Sequence, residues 1–501
     1  MYGNHGSHND MKQKSPRVPP AATSPEVQLL AEQAFSRAAG APLIQGNTIS
    51  VLKDASENYP AWLDAMRGAE KSIHFDSYII YSDDIGGEFA KVMVDRAREG
   101  VRVRVIYDWL GAMGKTSRRF WKDLRLAGAE VRCYNPPRLQ SPLGWMSRDH
   151  RKMIAVDGRK GFVSGLCVGR KWAGYPDRGI DQWRDTGVMV TGPAVADIEC
   201  AFADLWATMG PALPPEETPD RKAIRKTGDV MLRIVASVPN IAGLFRLDQL
   251  IAAAARKRLW LTDAYYLGLT PYVQSLRAAA EDGVDIRLLV PGTTDIPILR
   301  AVSRAGYQPL LEAGVRVFEW NGPMLHAKTA VADGRWTRIG SSNLNIASWI
   351  GNYELDVMAE DKDFAHVMER IYIEDLSNST EIVLGKHRTA SPVQKRPHRE
   401  SRIKGRGSLG RAGAGFISAG RVVEAAITNR RVLGPAESKI MFIAGLVLLT
   451  LSAVAVLWPP VLMVPFALLG GWLAVSLIFG AYKTRARYGR KYFTSRRDND
   501  R

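Results

Sequence analysis

His150-Arg-Lys-Met-Ile-Ala-Val-Asp157 and His326-Ala-Lys-Thr-Ala-Val-Ala-Asp333 are one pattern written twice, HxKxxxxD. A lone HxK carries little information. Two copies at matching places of a repeated framework carry a great deal. Residues two apart on a strand share a face, so each His projects beside its own Lys. Each copy runs on into a turn of small residues, Ser164-Gly165 in the first and Gly340-Ser341-Ser342-Asn343 in the second. The chain has 8 histidines. His5 and His8 lie in a polar N-terminal stretch, and His387 and His398 in a basic one. His74 and His366 read as ordinary strand or helix-surface residues, which leaves His150 and His326 for chemistry.

Outward from the motifs, the repetition continues. Lys71-Ser-Ile-His-Phe-Asp-Ser-Tyr78 is echoed by Arg258-Leu-Trp-Leu-Thr-Asp-Ala-Tyr265, and Leu124-Arg-Leu-Ala-Gly-Ala-Glu-Val-Arg132 by Leu310-Leu-Glu-Ala-Gly-Val-Arg-Val317. Val101–Tyr107 and Val284–Val290 alternate as strands do, each behind a helical stretch closed by a glycine, Gly100 or Gly283. Apolar runs alternating with amphipathic helices predict an α/β fold with mixed sheets flanked by helices. Two homologous lobes are expected, 25–210 and 220–384, their matching parts beginning near 45 and 230. The Pro-rich segment Pro211 to Pro219 joins them.

The 501 residues carry a formal charge of +17, which suits an anionic partner, nucleic acid or an anionic membrane surface alike. Three cysteines without a CxxC pair (Cys133, Cys167, Cys200) argue against a disulfide framework or structural zinc. Residues 1–24 have no apolar run of the kind a secretory signal needs, and their polar, Pro-rich composition predicts a disordered tail. Residues 385–438 read as a basic linker, and within it Arg421–Leu433 has helical spacing. The runs IMFIAGLVLLTLSAVAVLW (440–458) and VLMVPFALLGGWLAVSLIFGAY (461–482) are uncharged. Each is about the 20 residues needed to span a bilayer core. With Pro459-Pro460 as the reversal, residues 439–482 predict a transmembrane helical hairpin. Lys439 before it and Lys483, Arg485, Arg487, Arg490 and Lys491 after it place both flanks, the 483–501 tail and the lobes on the cytoplasmic side of a bacterial inner membrane.

Two imidazoles and two ammonium groups meeting across a pseudo-twofold axis suit phosphodiester exchange without metal or other cofactor. The reaction needs a nucleophile, a proton donor for the leaving oxygen and positive charge on the non-bridging oxygens. A nucleophilic imidazole must keep one nitrogen bare, so a carboxylate should hold the other N–H. Asp185 and Glu354, one after each motif, are the candidates.

This pattern resembles the phospholipase D superfamily, and the arrangement is most similar to its bacterial cardiolipin synthases. The resemblance covers about residues 40–384. It rests on the Asp-x-Tyr strands, Arg148-Asp149-His150-Arg151-Lys152, Trp183-Arg184-Asp185, Gly192-Pro193 and Met324-Leu325-His326-Ala327-Lys328. It implies that His150, Lys152, His326 and Lys328 carry catalysis, with His150 the nucleophile and His326 the acid. It further implies that Asp157 and Asp333 complete the catalytic motifs in a mainly structural role. By the same likeness, Asp185 and Glu354 each orient the histidine of their own half, and Ser341 and Asn343 meet the substrate phosphate. Two departures stand out: Asp76 where Glu is common, and Cys167 where the first turn commonly has Asn. The function implied is a membrane-bound phosphatidyltransferase making cardiolipin from anionic phospholipids, phosphatidylglycerol foremost, through a phosphohistidine. A hydrolase giving phosphatidic acid uses the same residues. A nuclease fits the charge but not the hairpin, so no nucleic-acid partner is expected. Gly111-Ala-Met-Gly-Lys-Thr116 imitates a nucleotide-binding loop, yet Trp109 stands where its first glycine belongs.

Overall fold

The computed structural model describes residues 25–137 and 147–384, with isolated positions between 446 and 475. The predicted tail 1–24, the linker, the tail 483–501 and most of the hairpin lie outside the described residues. Among the described residues, no helix is long and apolar enough to cross a membrane.

The first half contributes β1 (Ile44–Lys53), β2 (Ser72–Ser77), β3 (Arg102–Asp108), β4 (Glu130–Tyr134), β5 (Lys152–Val156), β6 (Lys160–Ser164) and β7 (Thr186–Thr191). The second contributes β8 (Val230–Ser237), β9 (Arg258–Thr262), β10 (Asp285–Pro291), β11 (Arg316–Trp320), β12 (Thr329–Ala332), β13 (Trp336–Gly340) and β14 (Glu354–Glu360), with β15 (Ser379–Ile382) added at the edge. Both halves repeat one spatial order, β1-β7-β6-β5-β2-β3-β4 and β8-β14-β13-β12-β9-β10-β11. In each, the last three strands are parallel and the others antiparallel. An antiparallel pairing of β1 with β8 joins them into one fifteen-stranded mixed sheet. The helices repeat too, with Asp54–Arg67, Asp84–Arg98 and Val195–Thr208 answered by Gly243–Ala254, Thr270–Glu281 and Lys362–Ser377.

β3 and β10 begin one residue later than Val101 and Val284. The preceding helices close as expected, Gly100 and Gly283 taking φ of +90° and +91° just past the helix ends. The main apolar cluster of each half lies around Phe75, Phe89 and Leu124 in the first and Leu244, Leu276 and Leu288 in the second. A third is shared, where Val188, Val190, Ile198 and Phe202 meet Leu232, Val331, Ile339 and Val357. Burying each such side chain contributes about 1.5–3 kcal/mol, so the halves are bound by core as well as by the sheet. Helix Pro25–Ala39 sets Phe35, Ala38 and Ala39 against the second cluster.

The spacing of HxKxxxxD has a simple origin here. Lys152 opens β5 and Lys328 immediately precedes β12, each after a short stretch beside the neighbouring half, and the aspartate follows the strand. Asp157-Gly158 and Asp333-Gly334 are tight reversals with φ of +56°, +64°, +53° and +64°, a turn that leads directly into the antiparallel β6 or β13. Asp157 accepts backbone N–H bonds from Glu70 (3.0 Å), Lys71 (2.7 Å) and Ser72 (2.9 Å). Asp333 does the same for Arg256 (2.9 Å), Lys257 (2.8 Å) and Arg258 (2.9 Å). Each carboxylate fixes the start of β2 or β9. At about 3.3 Å per strand residue it stands roughly 15 Å from its lysine. The structure therefore does not bring these two members of the predicted catalytic set to the histidines.

Candidate active site

The histidines sit where the two halves cross-bridge. The His150 N–H donates to the Tyr353 carbonyl (2.9 Å) and the Tyr353 N–H to the Arg148 carbonyl (2.9 Å). The mirror pair joins the His326 N–H to the Arg184 carbonyl (2.7 Å) and the Arg184 N–H to the Met324 carbonyl (2.9 Å). Each histidine thus lies beside the residue preceding the other half's carboxylate. His150 Nδ1 is 3.0 Å from both oxygens of Glu354, and His326 Nδ1 is 2.7 Å from Asp185 Oδ2. This corrects the expectation that each carboxylate serves its own half. The pairs are crossed because the bridge is between halves, and Asp185 and Glu354 are fully buried in it.

Each pair is braced differently. Glu354 accepts from the hydroxyls of Ser341 (2.5 Å) and Ser348 (2.6 Å). Asp185 accepts from the Thr186 N–H (2.8 Å) and packs on Gly165, where a Cβ would stand 2.3 Å from its Oδ1. Behind Asp185, Arg184 is clamped by Asp375 (2.8 and 2.9 Å) and Asp54 (3.1 Å), and Asp54 also accepts the Asp185 N–H (2.8 Å). Ser341 is therefore engaged with a carboxylate. Asn343 is buried, and its Oδ1 has no hydrogen-bond partner among the described residues.

Both motif lysines are buried, and each donates to the backbone carbonyl of its own histidine. The Lys152 ammonium lies 5.4 Å from the Tyr78 ring, and that of Lys328 5.9 Å from the Tyr265 ring. The same rings meet the imidazoles edge-on, Tyr78 at 5.1 Å from His150 and Tyr265 at 5.8 Å from His326. Trp172 (5.9 Å) and Trp183 (5.6 Å) close further around His326. The His150 side chain is 14% exposed against 5% for His326.

Burial is the main influence on each titrating group. It lowers His150, which Glu354 partly offsets. It takes His326 down to about 4, with Lys328 adding to the fall, and Lys328 itself to about 8. Burial pushes Asp185 and Glu354 up, yet the imidazoles and lysines beside them hold both below the ordinary carboxylate range. The site thus sets two imidazoles against two fully buried carboxylates and two buried lysines. Its charge and shape suit a phosphodiester anion.

Of the predicted set, His150, Lys152, His326, Lys328, Asp185, Glu354 and Ser341 converge, Asn343 lies buried in the same turn as Ser341, and Asp157 and Asp333 do not converge. Ser348, Gly165, Trp172, Trp183, Tyr78 and Tyr265 were not singled out for the site. The two tyrosines had a signal, being the last residue of each echoed Asp-x-Tyr. Cys167 occupies the place that Asn343 has in the other half, and its backbone carbonyl accepts from Tyr59 Oη at 2.7 Å.

Comparison with known proteins identifies the family. The family described as "Cardiolipin synthase, PLD-like domain" matches residues 62–206 and 247–376. A cardiolipin synthase of Alkalihalophilus pseudofirmus is 32% identical over 345 residues, 68% of each chain. Cardiolipin synthase A of Pseudomonas fluorescens SBW25 is 31% identical over 372 residues, 72% of this chain and 75% of the other. In fold, the crystal structure of a phosphatidylserine synthase from Haemophilus influenzae Rd KW20 is similar, with a TM-score of 0.55 at 15% identity over 70% of this chain and 92% of that one.

Proposed function

This chain belongs to the phospholipase D-like family of cardiolipin synthases, and we propose that it joins two phosphatidylglycerols into cardiolipin, releasing glycerol, through a phosphohistidine. The observation that carries this reading is the crossed pair of buried carboxylates. Each holds an imidazole by Nδ1 beside a buried lysine.

His150 is the nucleophile, and its greater exposure supports that assignment. With its Nδ1 proton held by Glu354, Nε2 is bare and attacks the donor's phosphorus. The bond to the glycerol oxygen breaks, and that oxygen takes a proton from His326. His326 is unprotonated at Nε2 in the empty site. A phosphodiester anion between Lys152 and Lys328 offsets the positive charge of Lys328 that adds to its depression, so that His326 takes up a proton from solvent as the donor binds and becomes the acid. In the second step His326 takes the proton of the acceptor's hydroxyl, whose oxygen attacks phosphorus as the N–P bond breaks. Lys152 and Lys328 balance the charge on the non-bridging oxygens throughout, and the side-chain NH2 of Asn343 is the donor proposed for the same phosphate. Asp185 and Glu354 position their imidazoles. The work is done at the cytoplasmic face of a bacterial inner membrane. The apolar runs at 440–458 and 461–482 support this.

The test is purified protein in phosphatidylglycerol vesicles with products resolved by mass spectrometry. Wild type should yield cardiolipin and glycerol. His150→Ala and His326→Ala should each lower the rate by about 10³-fold or more, with membrane retention unchanged. An acid-labile phosphoryl adduct should be absent from H150A. Phosphatidic acid alone would move the reading to a hydrolase. No lipid product, with salt-sensitive cleavage of DNA instead, would overturn it.

A further inference from the structure

The turn after β3 is the phosphate-loop imitation that the paired histidines leave unused, and it is firmly built. Asp108 accepts from the N–H groups of Leu110 (2.8 Å) and Gly111 (3.0 Å) and from Arg148 (3.1 Å). Gly111 passes so close to the Tyr78 carbonyl that a Cβ would stand 2.0 Å from it. Lys115 is fixed from both sides. Its N–H donates to Ala112 (3.0 Å) and its carbonyl accepts from Ser82 (3.1 Å), while Thr116 Oγ1 donates to the Ile80 carbonyl. The segment it grips, Tyr78 to Ser82, seats Tyr78 on His150 and bridges Ile80 to Val168, next to Cys167. The turn therefore holds Lys115 at the edge of the site.

The Lys115 ammonium has no hydrogen bond or ion pair with any described residue. The acidic groups near it are committed elsewhere. Asp295 takes Lys171 (3.0 Å) and Tyr265 Oη (2.8 Å), and Asp108 takes Arg148. Half-buried, beside the cation of Lys171, it is a lysine with its charge uncompensated, and burial lowers it from the ordinary value. An anion arriving there would relieve both effects.

The proposed reaction supplies such an anion. Lys152 and Lys328 bind the phosphate being transferred, but the acceptor phosphatidylglycerol brings a second phosphodiester one glycerol away from its attacking hydroxyl. Resting on the synthase reading, we propose that Lys115 binds the acceptor's phosphate and so selects an anionic glycerophospholipid over water.

The experiment compares full-length wild type, Lys115→Ala and Lys115→Arg in phosphatidylglycerol vesicles, scoring cardiolipin against phosphatidic acid. Soluble glycerol and glycerol 1-phosphate are offered separately as alternative acceptors, and thermal midpoints are recorded. K115A should lower the cardiolipin to phosphatidic acid ratio by about 10- to 100-fold, the loss falling on cardiolipin. It should use glycerol as wild type does while losing its preference for glycerol 1-phosphate, and K115R should restore both. An unchanged ratio in K115A overturns the proposal, and so does an equal fall of both products at an unaltered thermal midpoint. A wild type that makes no cardiolipin overturns the synthase reading itself, and is told apart from either result by the wild-type lane alone.

Discussion

The two half-sites differ, while the scaffolds that carry them match. Asp157 and Asp333 fix the strands beside them by three N–H bonds each, alike to 0.1 Å (3.0, 2.7, 2.9 Å against 2.9, 2.8, 2.9 Å). At the histidines the likeness ends. His150 has a long carboxylate steadied by two serine hydroxyls, and one aromatic neighbour. His326 has a short carboxylate pressed onto a glycine, and three aromatic rings around it. A glutamate reaches further than an aspartate and has more rotamers to lose, so it needs the serines. An aspartate needs its backbone brought nearer, which is what Gly165 permits. The likeness is kept at the far ends of the strands, where the fold is set, and given up at the near ends, beside the two histidines.

The most direct way to break this contrast is Gly165→Ala. Its Cβ collides with Asp185, and tilting one carboxylate off its imidazole should cost about 10²-fold in transfer rate. The corresponding truncation in the other half, Ser341→Ala, removes one bond to Glu354 and leaves Ser348. A loss of about tenfold is expected. Equal losses in the two variants, measured as initial rates on the same vesicles, would mean the halves are braced alike. The pH profile sharpens the contrast next. Lys328, held at about 8 by burial, loses its charge as pH rises through that value, so phosphate binding and rate should fall above it. Lys328→Arg should remove this alkaline limb, since guanidinium stays charged; a limb that persists in K328R assigns it to another group. The smallest difference should come from Asp157→Ala against Asp333→Ala. Each leaves three backbone N–H groups without their acceptor and should cost about 2 kcal/mol. The two denaturation midpoints should shift nearly equally, with turnover per folded molecule unaltered. A pronounced inequality would show that the scaffold is less symmetric than its bonds.

Much of this could be read in the sequence because the chain states it twice. The repeated HxKxxxxD, the Asp-x-Tyr strands and Gly100 and Gly283 at the helix ends are local patterns, and local patterns survive without coordinates. The partner of each histidine was not legible. His326 and Asp185 are 141 residues apart, and His150 and Glu354 204. Which carboxylate reaches which ring is decided by the bridges at Tyr353 and Arg184, where one half lies against the other. Periodicity within a half says nothing of that register. The serine of the GSxN turn was hidden for a related reason. Ser341 suits a phosphate as well as a carboxylate, and only the approach of Glu354 decides for the latter in the empty site.

The crossing of those carboxylates has a consequence for inheritance. A lone seven-stranded unit with one histidine motif and its downstream carboxylate could not complete its own imidazole pair. Two such units facing each other would complete both at once. The present chain is in that sense a dimer with its subunits tied together. An untied pair must be identical, and any change to one active imidazole is a change to both. Once tied, Gly165 and Ser341 could part company, and a symmetric reagent could become one with a left hand and a right.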